Sequence, residues 1–253
     1  RRITPSEKER ISDPEAALDG RPLRLSSVRV CSPIPHPEQD IICLGVNYAA
    51  HADESAQFDR KAFLLDRKKA TYFSKRAYQT SGPDDLIPSY PELVTSLDYE
   101  AELAVIIGRD CKNVCERDAA ACIFGYTVLN DVSARNLQTE HNQWYFGKSL
   151  DGFTPMGPCI VTEDEIPYPP ALSISSTVNG ELRQNSNTKY LLHSISEIIA
   201  ELSQGMTLLA GTIIATGTPA GVGMGFDPPK FLKSGDVVTC EIEKIGRLTN
   251  MVK

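Results

Sequence analysis

The sequence predicts an α+β domain that is mainly β. Short apolar runs bounded by turn residues recur along the chain, and helical periodicity is confined to short stretches. In addition, 17 glycines and 17 prolines punctuate the 253 residues. Many strands with few long helices is the pattern of a mixed or mainly β domain. Hydrophobic residues make up 41% of the chain and charged residues 23%, enough apolar side chains to offset the ordering of the backbone. No apolar run approaches the ~18 residues of a spanning helix, so no membrane is expected. The formal net charge of −7 argues against a nucleic-acid partner, which needs a basic face.

The elements follow in order. Residues 1–40 form a short N-terminal segment and Pro-rich linker, with prolines at 5, 14, 22, 33, 35 and 37; within it, 22–30 alternates as a strand. The main domain spans 41–253. Ile41–Val46 is a buried strand, 47–58 a short helix, and 59–70 a charged connector. Leu97–Ile107 reads as one strand, Arg117–Phe124 as a short helix, Gly125–Asp131 as a strand and 133–143 as a helix. Leu172–Val178 and Glu181–Ser186 flank Asn179-Gly180, a two-residue hairpin signal. Ser194-x-x-Glu197 is a capping box that opens a helix stopped at Gly205. Strands over 212–215, 237–243 and 247–252 complete a strand-rich C-terminal half.

Seven cysteines at irregular spacing, Cys31, Cys43, Cys111, Cys115, Cys122, Cys159 and Cys240, give neither a disulfide framework nor paired zinc ligands. Free thiols in a reducing compartment follow, hence the cytoplasm, or a mitochondrion if a targeting segment precedes Arg1.

The candidate chemistry lies in three places. Along Leu97–Ile107 one face carries Leu97, Tyr99, Ala101, Leu103, Val105 and Ile107. The other carries Asp98, Glu100 and Glu102 and then turns apolar at Ala104 and Ile106. A strand buried on both faces bears acids only if they are paired or hold a metal; the competing reading is an exposed strand end. Glu100 and Glu102 are spaced to converge on one ion, with Asp131 the candidate third oxygen ligand, and an all-carboxylate site favours Mg²⁺, Mn²⁺ or Ca²⁺ over zinc. His51-x-x-Glu54 places a carboxylate beside an imidazole on one helix face. Lys148 stands in the aromatic run 144–149, and 215–223 is a glycine-rich loop that can offer N–H groups to an anion.

Together these segments resemble the fumarylacetoacetate hydrolase family, specifically its C-terminal catalytic domain. Five blocks recur in order: Gly45-Val46-Asn47-Tyr48-x-x-His51-x-x-Glu54, Glu100-x-Glu102-Leu103, Asp131-x-Ser133-x-Arg135-x-x-Gln138, Gly147-Lys148-Ser149, and Thr216-Gly217-Thr218-Pro219-x-Gly221-Val222-Gly223. The resemblance implies a mixed β-sandwich roll with few short helices. It implies that Glu100, Glu102 and Asp131 ligate Mg²⁺ (or Mn²⁺). His51 and Glu54 then form a water-activating dyad and Lys148 faces the substrate, while Arg135, Gln138 and Thr218 lie at positions that contact ligand. A homodimer is expected, as is a small-molecule oxo-acid substrate. With about 40 residues before the match, the chain looks more like the family's short members, which include acylpyruvate hydrolases, oxaloacetate tautomerases and decarboxylases, and 2-hydroxyhepta-2,4-diene-1,7-dioate isomerases.

All of these act on a 2-oxo acid through a metal-chelated enolate. The dyad favours hydrolytic C–C cleavage of an acylpyruvate or fumarylacetoacetate-like substrate. The alternatives are tautomerisation, isomerisation or decarboxylation, and, more remotely, a non-catalytic binding protein.

Overall fold

Leu103, Val105 and Ile107 alternate with Glu102, Ala104 and Ile106, and in the computed structural model of the chain all six are buried. A strand buried on both faces needs a layer on each side, and the fold supplies both. The structure describes residues 29–63, 67–141 and 143–253. The strand expected over 22–30 lies, but for its last two residues, outside them.

Residues 31–253 form one compact unit. Its strands are β1 (Ile41–Gly45), β2 (Thr71–Lys75), β3 (Leu86–Ile87), β4 (Leu97–Asp98), β5 (Ala101–Ile107), β6 (Ile123–Asn130), β7 (Ser133–Ala134), β8 (Met156–Thr162), β9 (Ser173–Val178), β10 (Glu181–Asn187), β11 (Ile213–Ala215), β12 (Val237–Ile242) and β13 (Gly246–Val252). The helices are α1 (Ala49–Phe58), α2 (Arg60–Phe63), α3 (Arg135–Glu140), α4 (Tyr145–Lys148) and α5 (Ile195–Gly205).

A six-stranded sheet runs β2-β1-β11-β5-β6-β8 and a five-stranded one β10-β9-β12-β13-β3; β4 and β7 make a two-stranded ribbon. The larger sheet is antiparallel except for β1 beside β11, and the smaller except for β13 beside β3. The main core joins one face of β5 (Leu103, Val105, Ile107) to Ile174, Val178, Val238, Cys240 and Leu248 of the smaller sheet, and to Ile198 and Ile199 of α5. A second cluster, with Ile41, Cys43, Ala104, Ile106 and Ile213, covers the other face. Residues 31–40, read as linker, pack on this unit: the Thr80 hydroxyl lies 2.7 Å from both Ser32 Oγ and the Ile34 carbonyl.

Local signals account for several elements. Asn179 (φ 52°) and Gly180 (φ 81°) both take the left-handed conformation that a two-residue hairpin needs, and β9 pairs β10 from Val178 opposite Glu181. Ser194 and Glu197 form the reciprocal capping box of α5. Four expectations need correction. The charged connector expected over 59–70 opens with the short helix α2. The single strand over 97–107 breaks at Tyr99-Glu100, because the Glu100 backbone N–H turns to the Asn130 side chain at 3.0 Å. The helix expected over 117–124 is a 3₁₀ segment, Glu116–Cys122, after which β6 begins at once. The helix expected over 133–143 spans only Arg135–Glu140, since Ser133-Ala134 pairs with Asp98-Leu97.

Candidate active site

The topology brings the signature residues to one edge of the larger sheet. β1 and β11 run parallel, β5 is antiparallel to β11, and β6 is antiparallel to β5. The C-terminal ends of β1, β11 and β6 therefore coincide with the N-terminal end of β5. From β1 the chain turns through Val46, a branched residue at φ 48°, a strained conformation found mainly where function requires it. Asn47 holds that turn, donating from Nδ2 to the Thr216 carbonyl at 2.9 Å and accepting from the His193 N–H at 2.8 Å. His51 follows on α1, Glu102 stands at the start of β5, and Asp131 follows β6, its N–H donating to the Glu100 carbonyl at 2.8 Å.

Glu100, Glu102 and Asp131 are all buried and offer oxygen atoms within 4.8 Å of one another. Three cations surround them. Lys148 Nζ bridges Glu100 Oε2 (2.6 Å) and Asp131 Oδ2 (2.7 Å), and Arg135 Nη1 lies 2.7 Å from Glu100 Oε1. Lys75 Nζ sits 2.7 Å from Asp131 Oδ1, an ion pair without hydrogen-bond geometry, so that this oxygen lacks a donor. Burial pushes the Glu100 carboxyl up, but Lys148, Arg135 and His51 outweigh it and hold the group down at about 2. Glu102 goes the other way: burial, then the charges of Asp131 and Glu100, raise it well above the usual carboxylate range. Burial lowers the Lys148 ammonium, yet Asp131 and Glu100 leave it raised.

The dyad is formed. His51 Nδ1 lies 2.8 Å from Glu54 Oε1, and its Nε2 is 3.4 Å from the Ser55 hydroxyl. The glycine-rich loop does present N–H groups to anions, and those anions are the protein's own. Gly217 N–H donates to Glu102 at 2.9 Å and Gly221 N–H to Glu54 at 3.0 Å. Gly223 and Met224 donate to Asp98 at 2.6 and 3.0 Å. The loop thereby ties α1 to the strand that carries the acids.

The cleft beside this cluster is lined by His51, Glu100, Glu102, Arg135, Lys148 and Thr218, with Gln138 and a group of apolar side chains. Every site residue named from the sequence borders it except Glu54 and Asp131, which reach it through His51 and Lys148. Arg135 is held by Asp98 (Nε, 2.8 Å) and donates to Gln138 Oε1 at 3.0 Å, leaving Nη2 buried without a hydrogen-bond partner. The Thr218 hydroxyl donates to the Ala101 carbonyl at 2.9 Å.

The roles of three residues were not legible in the sequence. Lys75 is fully buried, and its ammonium also donates to the Val132 (3.2 Å) and Lys148 carbonyls; a lysine ending a strand beside Arg76 carries no sequence signal of burial. Asp98 shared the acidic face, but its partner Arg135 is 37 positions away. Gln184 of β10 donates to the Thr218 hydroxyl at 2.7 Å and accepts from the Ala101 N–H at 3.0 Å, which only the packing of the two sheets reveals.

The donor set fits a hard divalent cation. Four carboxyl groups (98, 100, 102 and 131) face three cationic side chains (75, 135 and 148), leaving one acid, Glu102, in formal excess, and oxygen-only ligands favour Mg²⁺, Mn²⁺ or Ca²⁺. Among the described residues, no helix is long and apolar enough to cross a membrane.

Comparison with known proteins agrees with this geometry. Residues 40–253 match the model of the fumarylacetoacetate (FAA) hydrolase C-terminal domain. The chain is 46% identical over 228 residues to oxaloacetate tautomerase YisK of Bacillus subtilis, covering 90% of this chain and 74% of that protein. Fumarylacetoacetate hydrolase from Exiguobacterium antarcticum has the same fold, with a TM-score of 0.81 at 44% identity over 93% of this chain and 82% of the other. 2-Hydroxyhepta-2,4-diene-1,7-dioate isomerase from Mycobacterium marinum gives 0.74 at 35% identity, over 93% and 81%. With its mixed sheets, its short helices and its five signature blocks gathered at one sheet edge, this chain belongs to the fumarylacetoacetate hydrolase family of enzymes.

Proposed function

We propose that this enzyme interconverts the keto and enol forms of a small 2-oxo acid of the oxaloacetate type, with Mg²⁺ (or Mn²⁺) at Glu100, Glu102 and Asp131. The observation that carries the reading is the 46% identity over 90% of the chain to a protein named oxaloacetate tautomerase. It moves the balance from hydrolytic C–C cleavage, the reading favoured by the dyad alone, to proton transfer. Hydrolysis keeps the support of the 44% identical fumarylacetoacetate hydrolase.

When bound, the ion supplies Lewis acidity toward the 2-oxygen of the acid. The chain's own residues do the rest. Glu54 holds His51 Nδ1 at 2.8 Å, and Nε2, which also lies 3.4 Å from the Ser55 hydroxyl, takes the proton from C3 and hands it to the enolate oxygen, the reverse transfer regenerating the keto form. Lys148, a raised and buried ammonium, stabilises the negative charge that develops in the site. The free Nη2 of Arg135 offers a donor to a substrate carboxylate, and Thr218 and Gln138 border the space that remains. Atoms balance without a second reactant, because the proton lost from carbon is gained by oxygen. Hydrolysis would instead need His51 to deliver a water.

The test follows oxaloacetate in D₂O with Mg²⁺ by proton NMR and ultraviolet absorbance. Accelerated keto–enol exchange without acetate, pyruvate or CO₂ is expected. His51→Ala should slow it by about 10²–10⁴-fold while keeping the Mg²⁺-induced rise in melting temperature. Release of acetate and pyruvate from acetylpyruvate, with oxaloacetate untouched, would give the site to the hydrolase reading.

A further inference from the structure

The cleft has two halves of different chemistry. The charged half has been described; the other is aromatic, made by Phe63 of α2, Phe73 of β2 and Trp144 above Gly45. That half is filled by the protein itself. The Trp144 ring lies 5.4 Å from the Phe63 ring and 5.3 Å from the Phe73 ring, centroid to centroid, contact separations that leave nothing between them. The indole also rests directly on the Gly45 backbone, since a Cβ built there would stand 2.3 Å from one ring carbon and 2.8 Å from the next. The Phe73 ring is in turn 5.3 Å from Lys148 Nζ, so the aromatic plug begins where the charged pocket ends. Neither holding a cation nor moving a proton at His51 requires an indole at this place.

We propose that Trp144, seated on Gly45, sets the length of the acid that the site accepts. The indole stands where the chain beyond C4 of a longer 2-oxo acid would extend, so the charged half alone is left to the ligand. A short acid with polar groups at both ends fits there, and longer acyl chains are turned away. This rests on the 2-oxo-acid reading of the cleft and narrows it. Gly45 is the other half of the device: any side chain there would displace the ring.

The test uses the Mg²⁺-loaded protein and reads binding rather than turnover. Oxalate and a series of unreactive chelating acids, N-methyl to N-butyl oxamate, are titrated by calorimetry into wild type, Trp144→Ala and Trp144→Phe. Oxalate affinity is expected to stay within about threefold in all three, whereas each added methylene that finds new apolar space is worth about tenfold. Trp144→Ala should therefore gain at least tenfold for N-butyl over N-methyl oxamate relative to wild type, and Trp144→Phe should gain a smaller part of it. Melting curves confirm the fold, and if the alanine variant does not fold, the phenylalanine variant decides. Equal changes for short and long ligands, or none, overturn the proposal. If wild type leaves oxaloacetate unchanged while the length effect appears, the tautomerase assignment falls and the length gate stands. Normal tautomerisation without a length effect sinks the gate alone.

Discussion

Among the described residues, Glu102 is the acid of the cluster without a salt-bridge partner of its own. Glu100 is paired with Arg135 and Lys148, and Asp131 with Lys75 and Lys148, whereas Glu102 accepts from the Gly217 N–H at 2.9 Å. Glu102→Gln keeps an acceptor for that N–H and removes the charge. In metal-free protein the change should stabilise the fold, by about 1–3 kcal/mol on the scale of one poorly compensated buried polar group. For a chain of this size that is roughly 2–4 °C per kcal/mol. The sign of the pH dependence follows from the raised carboxyl, whose causes are burial, then Asp131, then Glu100. Folded protein holds this proton more tightly than the unfolded chain. Stability therefore falls as pH rises from the ordinary value of 4.5 toward the folded value. The variant loses that slope. A divalent ion reverses the comparison, because wild type at ~100 times Kd gains about 2.7 kcal/mol while the variant, short of a ligand, gains little. Differential scanning calorimetry in EDTA and in Mg²⁺, across the neutral range, reads all three effects. An EDTA-treated variant melting several degrees below wild type, or an unchanged Mg²⁺ shift, would refute the charge balance drawn here.

Three further perturbations separate site from scaffold. Glu100→Gln should abolish Mg²⁺-dependent turnover and, unlike Glu102→Gln, destabilise the metal-free protein by about 3–5 kcal/mol, because Arg135 and Lys148 lose a shared buried partner; urea titration in EDTA measures the loss. Ser194→Ala removes the cap of α5 at a cost of about 1 kcal/mol with turnover unchanged. Glu197→Gln should flatten the acid limb of stability: the Ser194 N–H holds that carboxyl below its ordinary value. Its contribution is full above the unfolded value and lost as pH falls through the folded one.

Much of the site was legible because its signals are local. The alternation along 97–107 survives the break at Tyr99-Glu100: Leu97, Tyr99, Ala101, Leu103, Val105 and Ile107 all join the main core, while Ala104 and Ile106 join the second cluster. The reading of three solvated acids at an exposed strand end is overturned, since Asp98, Glu100 and Glu102 are at most 4% exposed. The break itself was not legible, because it depends on Asn130 of the neighbouring strand.

What the sequence determined by itself was the class of fold, the hairpin at Asn179-Gly180, the capping box of α5, and the identity of the carboxylates, the dyad and the glycine loop. These rest on spacing along one stretch of chain, where strand and helix periodicity fix which side chains share a face. Only the tertiary structure decided how the charges are shared: that Lys148 bridges two of the acids, that Lys75 is buried against Asp131, that Asp98 clamps Arg135, and that the glycine loop spends its N–H groups on Glu102, Glu54 and Asp98. Which acid is left without a cationic side chain beside it depends on distances between residues far apart in the chain. Electrostatic energies vary with separation and burial, and neither can be read from residue order.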